Sequence, residues 1–156
     1  MSQSKRGTKY WIIVASKDHV KTGKAEGIAQ ACHGKSSPLK RMHPGDFVIY
    51  YSGKQSLGEK KLCQEFTAIG RVDDEEVYQV ELSPDFCPHR RNITFFPNRD
   101  VSIRPLIEDL EFIRNKSRWG YPFRYGILEI NQHDFALIAE EMLEDQVNLA
   151  EGVPAQ

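Results

Sequence analysis

Short segments rich in β-branched and aromatic residues recur along the chain, and each ends at a turn signal. Segments of this length are too short for typical globular helices and therefore predict strands. The turns are marked by a Pro-Gly pair, an acidic run and a proline-rich stretch. Six strands are predicted, at residues 9–15, 46–52, 65–72, 77–82, 89–96 and 127–130. Because short turns join strands mostly in antiparallel pairs, the sequence favours a strongly curved, mostly antiparallel sheet or β-barrel.

Two segments in the second half of the chain have helical periodicity. Residues 105–113 place their apolar side chains on one face, and Pro105 suits a first helical position. Residues 131–143 carry apolar residues at the i, i+3, i+4, i+7 and i+8 positions, with Asn131 at the N-cap. The polar residues 16–27 are interpreted as the turn that ends the first strand. The predicted fold class is therefore α+β, with helices flanking the sheet.

The length of the chain indicates one globular domain. A chain of 156 residues matches about one domain, and no internal repeat or low-complexity linker divides it. We expect a single domain over residues 1–156 with a core of about 9–144. A short polar tail precedes this core and an acidic tail follows it.

Charge and cysteine content limit the classes of function. The formal net charge of −1 argues against binding nucleic acid through a broad basic surface, but it is compatible with a local basic patch. Three cysteines without a CxxC motif do not suggest a disulfide framework and favour a reducing compartment. The polar start lacks the apolar segment of a signal peptide, and no apolar run reaches membrane length. We therefore expect a cytoplasmic protein without membrane contact.

The segment 27–40, "GIAQACHGKSSPLK", concentrates groups that could carry chemistry. A nucleophilic cysteine needs a base within hydrogen-bond reach, but Cys32 and His33 are sequence neighbours, whose side chains seldom face each other. Structural zinc sites need paired ligand spacings that the cysteines and histidines of this chain do not show. The sequence therefore favours Cys32 as a packing residue, with no metal, cofactor or catalytic residue, although a nucleophile stays open.

Gly34 and Lys35 form the second feature of this segment. Glycine allows a backbone that turns amide N–H groups toward an anion or a base carbonyl, and Lys35 adds a positive charge. The stretch "HGKSS" lacks the upstream glycine of a phosphate-binding Walker loop. An ordinary turn with a solvated lysine explains these residues equally well.

Aromatic residues exceed what a small core needs, and basic residues recur beside them. Tyr50 and Tyr51 are adjacent on a predicted strand, so one faces each side of the sheet. Aromatic faces beside amide and guanidinium groups are the means by which proteins hold an unstacked base. Any one of these residues alone is typical of a solvated surface. Their recurrence favours a nucleic-acid-binding protein.

Five ordered segments resemble the EVE domain family, which belongs to the PUA-like superfamily with the YTH and ASCH domains. They are "YWIIVASKDHV" at 10–20, "GIAQACHGK" at 27–35, "KRMHPGDFVIYYS" at 40–52, "FTAIGRV" at 66–72 and "WGYPFRYGILEI" at 119–130. The resemblance implies a PUA-like β-barrel with flanking helices. It also implies a pocket for a modified base that is exposed in RNA or flipped out of DNA. The related YTH domain uses a tryptophan-lined cage, whereas residues 27–35 contain no tryptophan.

On this resemblance we expect a base pocket made of Ser16, Asp18, Gln30, His33, Gly34 and Tyr51. Lys35, Arg90 and Arg91 are expected to hold the flanking phosphates, which position a strand without specifying its sequence. The expected partner is nucleic acid, and the expected function is non-catalytic. One alternative is an ASCH-like hydrolase of modified nucleosides, in which Lys35, Asp18 or Tyr51 acts as acid or base. Another alternative is an adaptor that binds a protein.

Overall fold

A computed structural model describes residues 7–56 and 58–143, together with the backbone of two short strands near the C-terminus. The strands are β1 (Tyr10–Val14), β2 (Ile28–Ala29), β3 (Phe47–Lys54), β4 (Leu62–Gln79), β5 (His89–Phe95), β6 (Val101–Ser102), β7 (Ile127–Ile130), β8 (Val147–Asn148) and β9 (Val153–Pro154). The α-helices are α1 (Lys17–Glu26), α2 (Ser36–Lys40) and α3 (Gln132–Met142). Short 3₁₀ helices cover Cys32–Gly34, Arg104–Asp109, Lys116–Arg118 and Tyr121–Tyr125. None of the helices in this part of the chain is long and apolar enough to cross a membrane. The rest of the polar N-terminal tail and of the acidic C-terminal tail lies outside the described residues.

Seven strands form one mixed sheet in the order β2-β5-β4-β3-β1-β7, and β6 pairs with one end of β4. The pairs are antiparallel as predicted, except that β1 and β3 run parallel from the pair Tyr10 and Phe47. Within residues 7–143, the outermost strands β2 and β7 each pair with a single neighbour. The predicted closed barrel is therefore not confirmed, and the chain has an α+β fold around a mixed sheet.

The two strands predicted at 65–72 and 77–82 are one long strand, β4. The acidic residues 73–76 loop out between the pairs Val72–Ile93 and Val77–Arg91, so they form a bulge and do not end the strand. The prediction of a turn was wrong because a bulge accommodates the same polar residues while the strand continues.

The prediction of a turn at residues 16–27 was also wrong, since these residues contain α1. Only Val20 and Gly23 of this helix are buried, so it lacks the apolar stripe that predicts a helix. Gly27 ends the helix in the left-handed conformation (φ 70°). Gly23 permits close packing, because an added Cβ would lie 2.9 Å from the Ile28 carbonyl oxygen.

Side chains of the central strands alternate between two cores, one on each face of the sheet. The first core contains Ile12, Ile49, Tyr51 and Phe66 and is covered by the chain from Arg104 to Phe123 and by α3. The second core contains Trp11, Ile13, Val48 and Tyr50 and is covered by residues of α1, β2 and α2. Tyr50 and Tyr51 thus face opposite sides of the sheet, as predicted.

The helix predicted at 131–143 is confirmed as α3, and Asn131 is its N-cap with Oδ1 accepting from the Asp134 N–H at 2.8 Å. Asp134 is buried and also accepts the N–H groups of Glu111 and Phe112, each at 2.8 Å. The helix predicted at 105–113 is shorter, a 3₁₀ helix at Arg104–Asp109.

Replacing Ile138 with alanine tests the docking of α3. The Ile138 side chain is 0% exposed in the first core, so Ile138→Ala should lower the free energy of unfolding by about 2–5 kcal/mol. Denaturant titration measures the change. Glu140→Ala, at an exposed position of the same helix, is the control and should change it by less than about 0.5 kcal/mol. A loss below about 1 kcal/mol for Ile138→Ala would contradict a docked helix.

His133 makes the start of α3 sensitive to pH. Its Nδ1 lies 2.8 Å from Asp134 Oδ1 and 3.6 Å from Glu111 Oε2. The hydrogen bond to Asp134 raises the pKa of His133 above its ordinary value of 6.5. Its stabilisation is therefore fully present below pH 6.5 and is lost as the pH rises through the higher folded-state pKa. We expect wild type to exceed His133→Gln in melting temperature at acidic pH and to lose that advantage in mildly alkaline buffer. A difference that is constant with pH would contradict this assignment.

Candidate nucleic-acid interface

The segment that was predicted to form a pocket wall lies along the edge strand of the sheet. β2 pairs with β5 through Ile28–Asn92 and Ala29–Arg91. Further along, the Gly34 carbonyl oxygen lies 3.1 Å from Nδ1 of His89. The segment is therefore fixed against β5 at both ends, next to the hairpin that joins β4 to β5.

A left-handed turn at His33 and Gly34 closes this segment, with φ of 61° and 85°. Gly34 is required, because a Cβ there would lie 2.6 Å from Cβ of Pro88 and 3.5 Å from Cε1 of Phe86. The Gly34 N–H donates to the Ala31 carbonyl at 3.0 Å, so it does not serve the anion site considered from sequence. His33 is exposed, and the side chain of Cys32 lies outside the described part of the molecule.

Gln30 is held in one orientation by β5. Its Oε1 accepts from Arg90 Nε at 2.7 Å, and its carbonyl accepts from the Tyr50 hydroxyl at 3.3 Å. Arg90 also pairs with Glu26 at 3.2 Å. With its oxygen occupied, Gln30 retains an amide NH₂ group that has no hydrogen-bond acceptor among the described residues. Gln30 is thus a fixed donor at the sheet edge.

Arg91 does not lie with the other basic residues that were predicted to contact phosphate. Its side chain is 2% exposed and donates to the carbonyls of Leu39, Met42 and Asp74 at 2.9, 2.6 and 2.5 Å. Burial lowers the pKa of Arg91, while the nearby Asp74 opposes that shift. We therefore assign Arg91 to the framework of the fold and leave it out of the proposed interface.

Ser16 and Asp18 lie at the end of β1, where α1 begins. Ser16 Oγ donates to Asp18 Oδ1 at 2.6 Å, and the His19 N–H donates to the same oxygen at 2.7 Å. These hydrogen bonds, the one from Ser16 first, hold the pKa of Asp18 below its ordinary value. Asp18 is therefore an ionised acceptor. No hydrogen bond or ion pair between described residues joins it to the segment around Gln30.

Tyr51 is not joined to Gln30 or His33 by any hydrogen bond or ring contact between described residues. It is 4% exposed in the first core and stacks on Phe123 with ring centroids 4.0 Å apart. Burial raises the pKa of the Tyr51 phenol well above its usual range. The aromatic side chain beside the His33–Gly34 turn is instead Phe86, which is 42% exposed and which the sequence analysis missed. Its position in the proline-flanked turn "SPDFCP" was the signal, since a core aromatic rarely lies in such a turn.

Five side chains therefore form one edge, which we call the polar rim: Gln30, His33, Lys35, Phe86 and Arg90. The backbone of Phe86 is fixed, with its N–H donating to Ser83 at 3.1 Å and its carbonyl accepting from Leu82 at 3.0 Å. Neither of two cavities, one of about 430 Å³ and one of about 180 Å³, is lined by a member of the polar rim. His33, Lys35 and Phe86 are exposed, so their part of the polar rim is open surface, whereas Gln30 is only 7% exposed behind them.

One group of side chains has the geometry for a metal ion, away from the polar rim. Ligand atoms of Glu111, His133 and Asp134 lie within 4.8 Å of one another. Both oxygens of Asp134 already accept backbone N–H groups, and the Asn131 amide donates to Glu111 at 2.8 Å. These contacts cap α3, so the group is explained without an ion.

Comparison with known proteins decides the family of the chain. A family model of the EVE domain matches residues 9–141. The chain belongs to the EVE domain family. A UPF0310 protein of Bacillus licheniformis is 51% identical over 128 residues, which cover 82% of this chain and 87% of that protein. A UPF0310 protein of Mycolicibacterium vanbaalenii is 45% identical over 140 residues, which cover 90% and 97%.

Solved structures share the fold of this EVE domain at low identity. The YTH domain of Zygosaccharomyces rouxii MRB1, in complex with N6-methyladenosine RNA, has a TM-score of 0.58 and 14% identity, covering 95% of this chain and 92% of that chain. The protein Rpa0253 of Rhodopseudomonas palustris has a TM-score of 0.51 and 16% identity, covering 86% and 92%. The EVE domain therefore has the fold of YTH domains, in agreement with the PUA-like class expected from its sequence.

The two neighbouring arginines of β5 should respond differently to mutation. Arg91→Ala removes three hydrogen bonds to backbone carbonyl groups, two of them buried, so the free energy of unfolding should fall by at least about 2 kcal/mol. Arg90→Ala removes contacts to two side chains, and we expect a loss of about 1 kcal/mol or less. Denaturant titration compares the two variants. Equal losses would argue against the framework role of Arg91.

Proposed function

We propose that this EVE domain is a non-catalytic reader of nucleic acid, which holds one modified base at the polar rim. The base is exposed in a single strand or flipped out of a duplex, since the rim needs access to its face and edge. Support comes from membership of the EVE family and from the fold shared with a YTH domain that was solved with N6-methyladenosine RNA.

The observation that carries the proposal is the seating of the His33–Gly34 turn against the hairpin tip. This contact brings a half-exposed aromatic ring, an exposed imidazole and an oriented amide to one edge of the sheet. A ring that stacks on a base and an amide that donates to its edge are the two elements of single-strand recognition. Phe86 supplies the first and Gln30 the second.

Phosphate contacts follow from the two basic members of the polar rim. Lys35 is exposed and has no side-chain partner within the described chain. Arg90 is 16% exposed at its side chain and is tied to Glu26 and Gln30, so it orients Gln30 and adds positive charge. Lys35 is therefore the principal phosphate contact in this proposal, and Arg90 is secondary. Such contacts position the strand without reading its sequence.

Ser16 and Asp18 differ from the basic residues of the polar rim, because Asp18 supplies a negative charge, which Ser16 stabilises by a hydrogen bond. An ionised carboxylate repels phosphate but accepts a hydrogen bond from an amino or methylamino group of a base. Ser16 and the His19 N–H bind Oδ1 of Asp18, and the Ser56 side chain also donates to this carboxylate, so a base would compete with these groups. In this proposal Asp18 contributes to the choice of base and not to affinity for the strand.

Lys35, Asp18 and Tyr51, which the sequence suggested as acid or base of a hydrolase, do not form an acid–base site in the structure. Tyr51 lies in the first core, and no contact between described residues joins Lys35 to Asp18. Burial raises the pKa of the Cys63 thiol to about 11, which makes it a poor nucleophile at neutral pH. Binding without turnover is therefore the function that the arrangement favours.

Two substitutions should separate base recognition from phosphate contact. Phe86→Ala should cost about 1–3 kcal/mol of binding to a modified oligonucleotide and should reduce discrimination against the unmodified one. Lys35→Ala should weaken both ligands equally and lower the dependence of log K on log salt by about one unit. Binding titrations at several salt concentrations measure both effects, and chromatography of the ligand checks for turnover.

Leu82→Ala is the matched control for Phe86→Ala. Leu82 is 54% exposed on the same hairpin, but it does not contact the His33–Gly34 turn in the way that Phe86 does. It should leave affinity and discrimination unchanged. If Phe86→Ala retains full discrimination while Lys35→Ala abolishes it, the base does not bind at the polar rim. Product formation would exclude a purely binding role.

A further inference from the structure

A cavity of about 430 Å³ opens in the layer that covers the first core, and none of its described lining residues belongs to the polar rim. The rings of Phe112 and Tyr121 form apolar walls, and Arg114, Asn115 and Arg118 add polar groups. Its volume falls within the range of about 300–1,000 Å³ that is typical of small-molecule sites. The function proposed above makes no use of this cavity.

The arginine and asparagine side chains of the lining offer hydrogen-bond donors. Arg114 and Arg118 are exposed, and their guanidinium groups have no hydrogen bond or ion pair within the described chain. Asn115 Oδ1 accepts from both the N–H and the hydroxyl of Ser117, so its NH₂ group remains as a donor. None of the described lining residues is acidic. In a protein of net charge −1, this lining is a local site for an anion.

The walls of the cavity are held in place by residues that do not line it. Lys116 donates to the carbonyls of Ile107 and Leu110 at 3.0 and 2.8 Å, which fixes the loop between the two arginines. Arg124 stacks over the Tyr121 ring at 4.1 Å, and that ring is 50% exposed. A site whose loop and ring are already ordered loses less entropy when a ligand binds.

We propose that this cavity is a second binding site, specific for a nucleotide. The flat base packs against Tyr121 and Phe112, and the phosphate is held by Arg114 and Arg118, whose planar groups match phosphate oxygens. This site goes beyond the proposed function, because it shares no residue with the polar rim. The same chemistry is supplied by a free nucleotide or by one nucleotide of a bound strand.

Calorimetric titration with adenosine 5′-monophosphate tests the free nucleotide, with adenosine and inorganic phosphate as the two fragments. Wild type should bind the monophosphate more tightly than either fragment. The double variant Arg114→Ala/Arg118→Ala should bind it about tenfold more weakly or worse, which is the loss expected for one charge-assisted hydrogen bond. Lys21→Ala removes an exposed positive charge from α1 and is the control, with no change expected.

An oligonucleotide titration of the same variants separates the two sources of the nucleotide. If the monophosphate does not bind but the double variant weakens the oligonucleotide with a lower salt dependence, the site takes a nucleotide of the strand. If both ligands bind the double variant as tightly as wild type, the proposal is overturned. Phe86→Ala distinguishes the two sites, because it should weaken binding of the oligonucleotide and leave binding of the monophosphate unchanged. Loss of the monophosphate in Phe86→Ala, with the double variant unaffected, would also overturn the cavity site.

Discussion

The arrangement of the second face depends on one buried guanidinium group. Arg91 extends from β5 and donates to carbonyls at the end of α2, at Met42 and in the acidic bulge of β4. Burying a charge costs several kcal/mol, and charge-assisted hydrogen bonds to three carbonyls offset that cost. Since Arg91 is also paired with Ala29 of β2, the same residue holds the edge strand, α2 and the bulge together. The segment between β2 and α2, which carries Gln30 and His33, is thus attached to β5 at both ends. Because Arg91 is buried in this role, it cannot contact a ligand.

The polar rim follows from that constraint and from one close backbone contact. Gly34 approaches Pro88 so closely that any side chain would clash, and this approach places His33 beside the hairpin tip. Phe86 then lies next to the turn, with its backbone fixed on both sides. The result is an open edge with one aromatic face, which differs from an enclosed cage. On the proposed function, selectivity therefore arises from stacking and from hydrogen bonds to the base edge, since an open site does not exclude ligands by size.

The sequence was sufficient to predict the strands and helices that have a strong local pattern. It was insufficient where contacts between distant residues determine the structure. The strands at β1, β3, β5 and β7 and the helix α3 were predicted because apolar periodicity and turn residues agree. The helix α1 was missed because it buries few side chains, and β4 was divided because a bulge and a turn use the same acidic residues. At the site, adjacent Tyr50 and Tyr51 were predicted to face opposite sides, but only the covering layers show that Tyr51 lies in the first core and that Tyr50, whose hydroxyl donates to the Gln30 carbonyl, lies in the second. The burial of Arg91 could not be inferred, since its partners are backbone carbonyls, which have no sequence pattern.

The distribution of charge indicates that a ligand would be held mainly by short-range contacts and not by long-range electrostatic attraction. Lys35 and Arg90 belong to the polar rim, and Arg114 and Arg118 line the cavity, while the acidic residues 73–76 lie in the bulge of β4. Salt screens the attraction of these positive groups beyond about 10 Å, and the net charge of −1 gives the domain no overall attraction for a polyanion. Long-range steering therefore contributes little, and counterion release is limited to the few phosphates that the polar rim reaches, so on the proposed function most of the affinity comes from stacking and direct hydrogen bonds. On the proposed function, the domain discriminates between bases more readily than it binds an arbitrary strand.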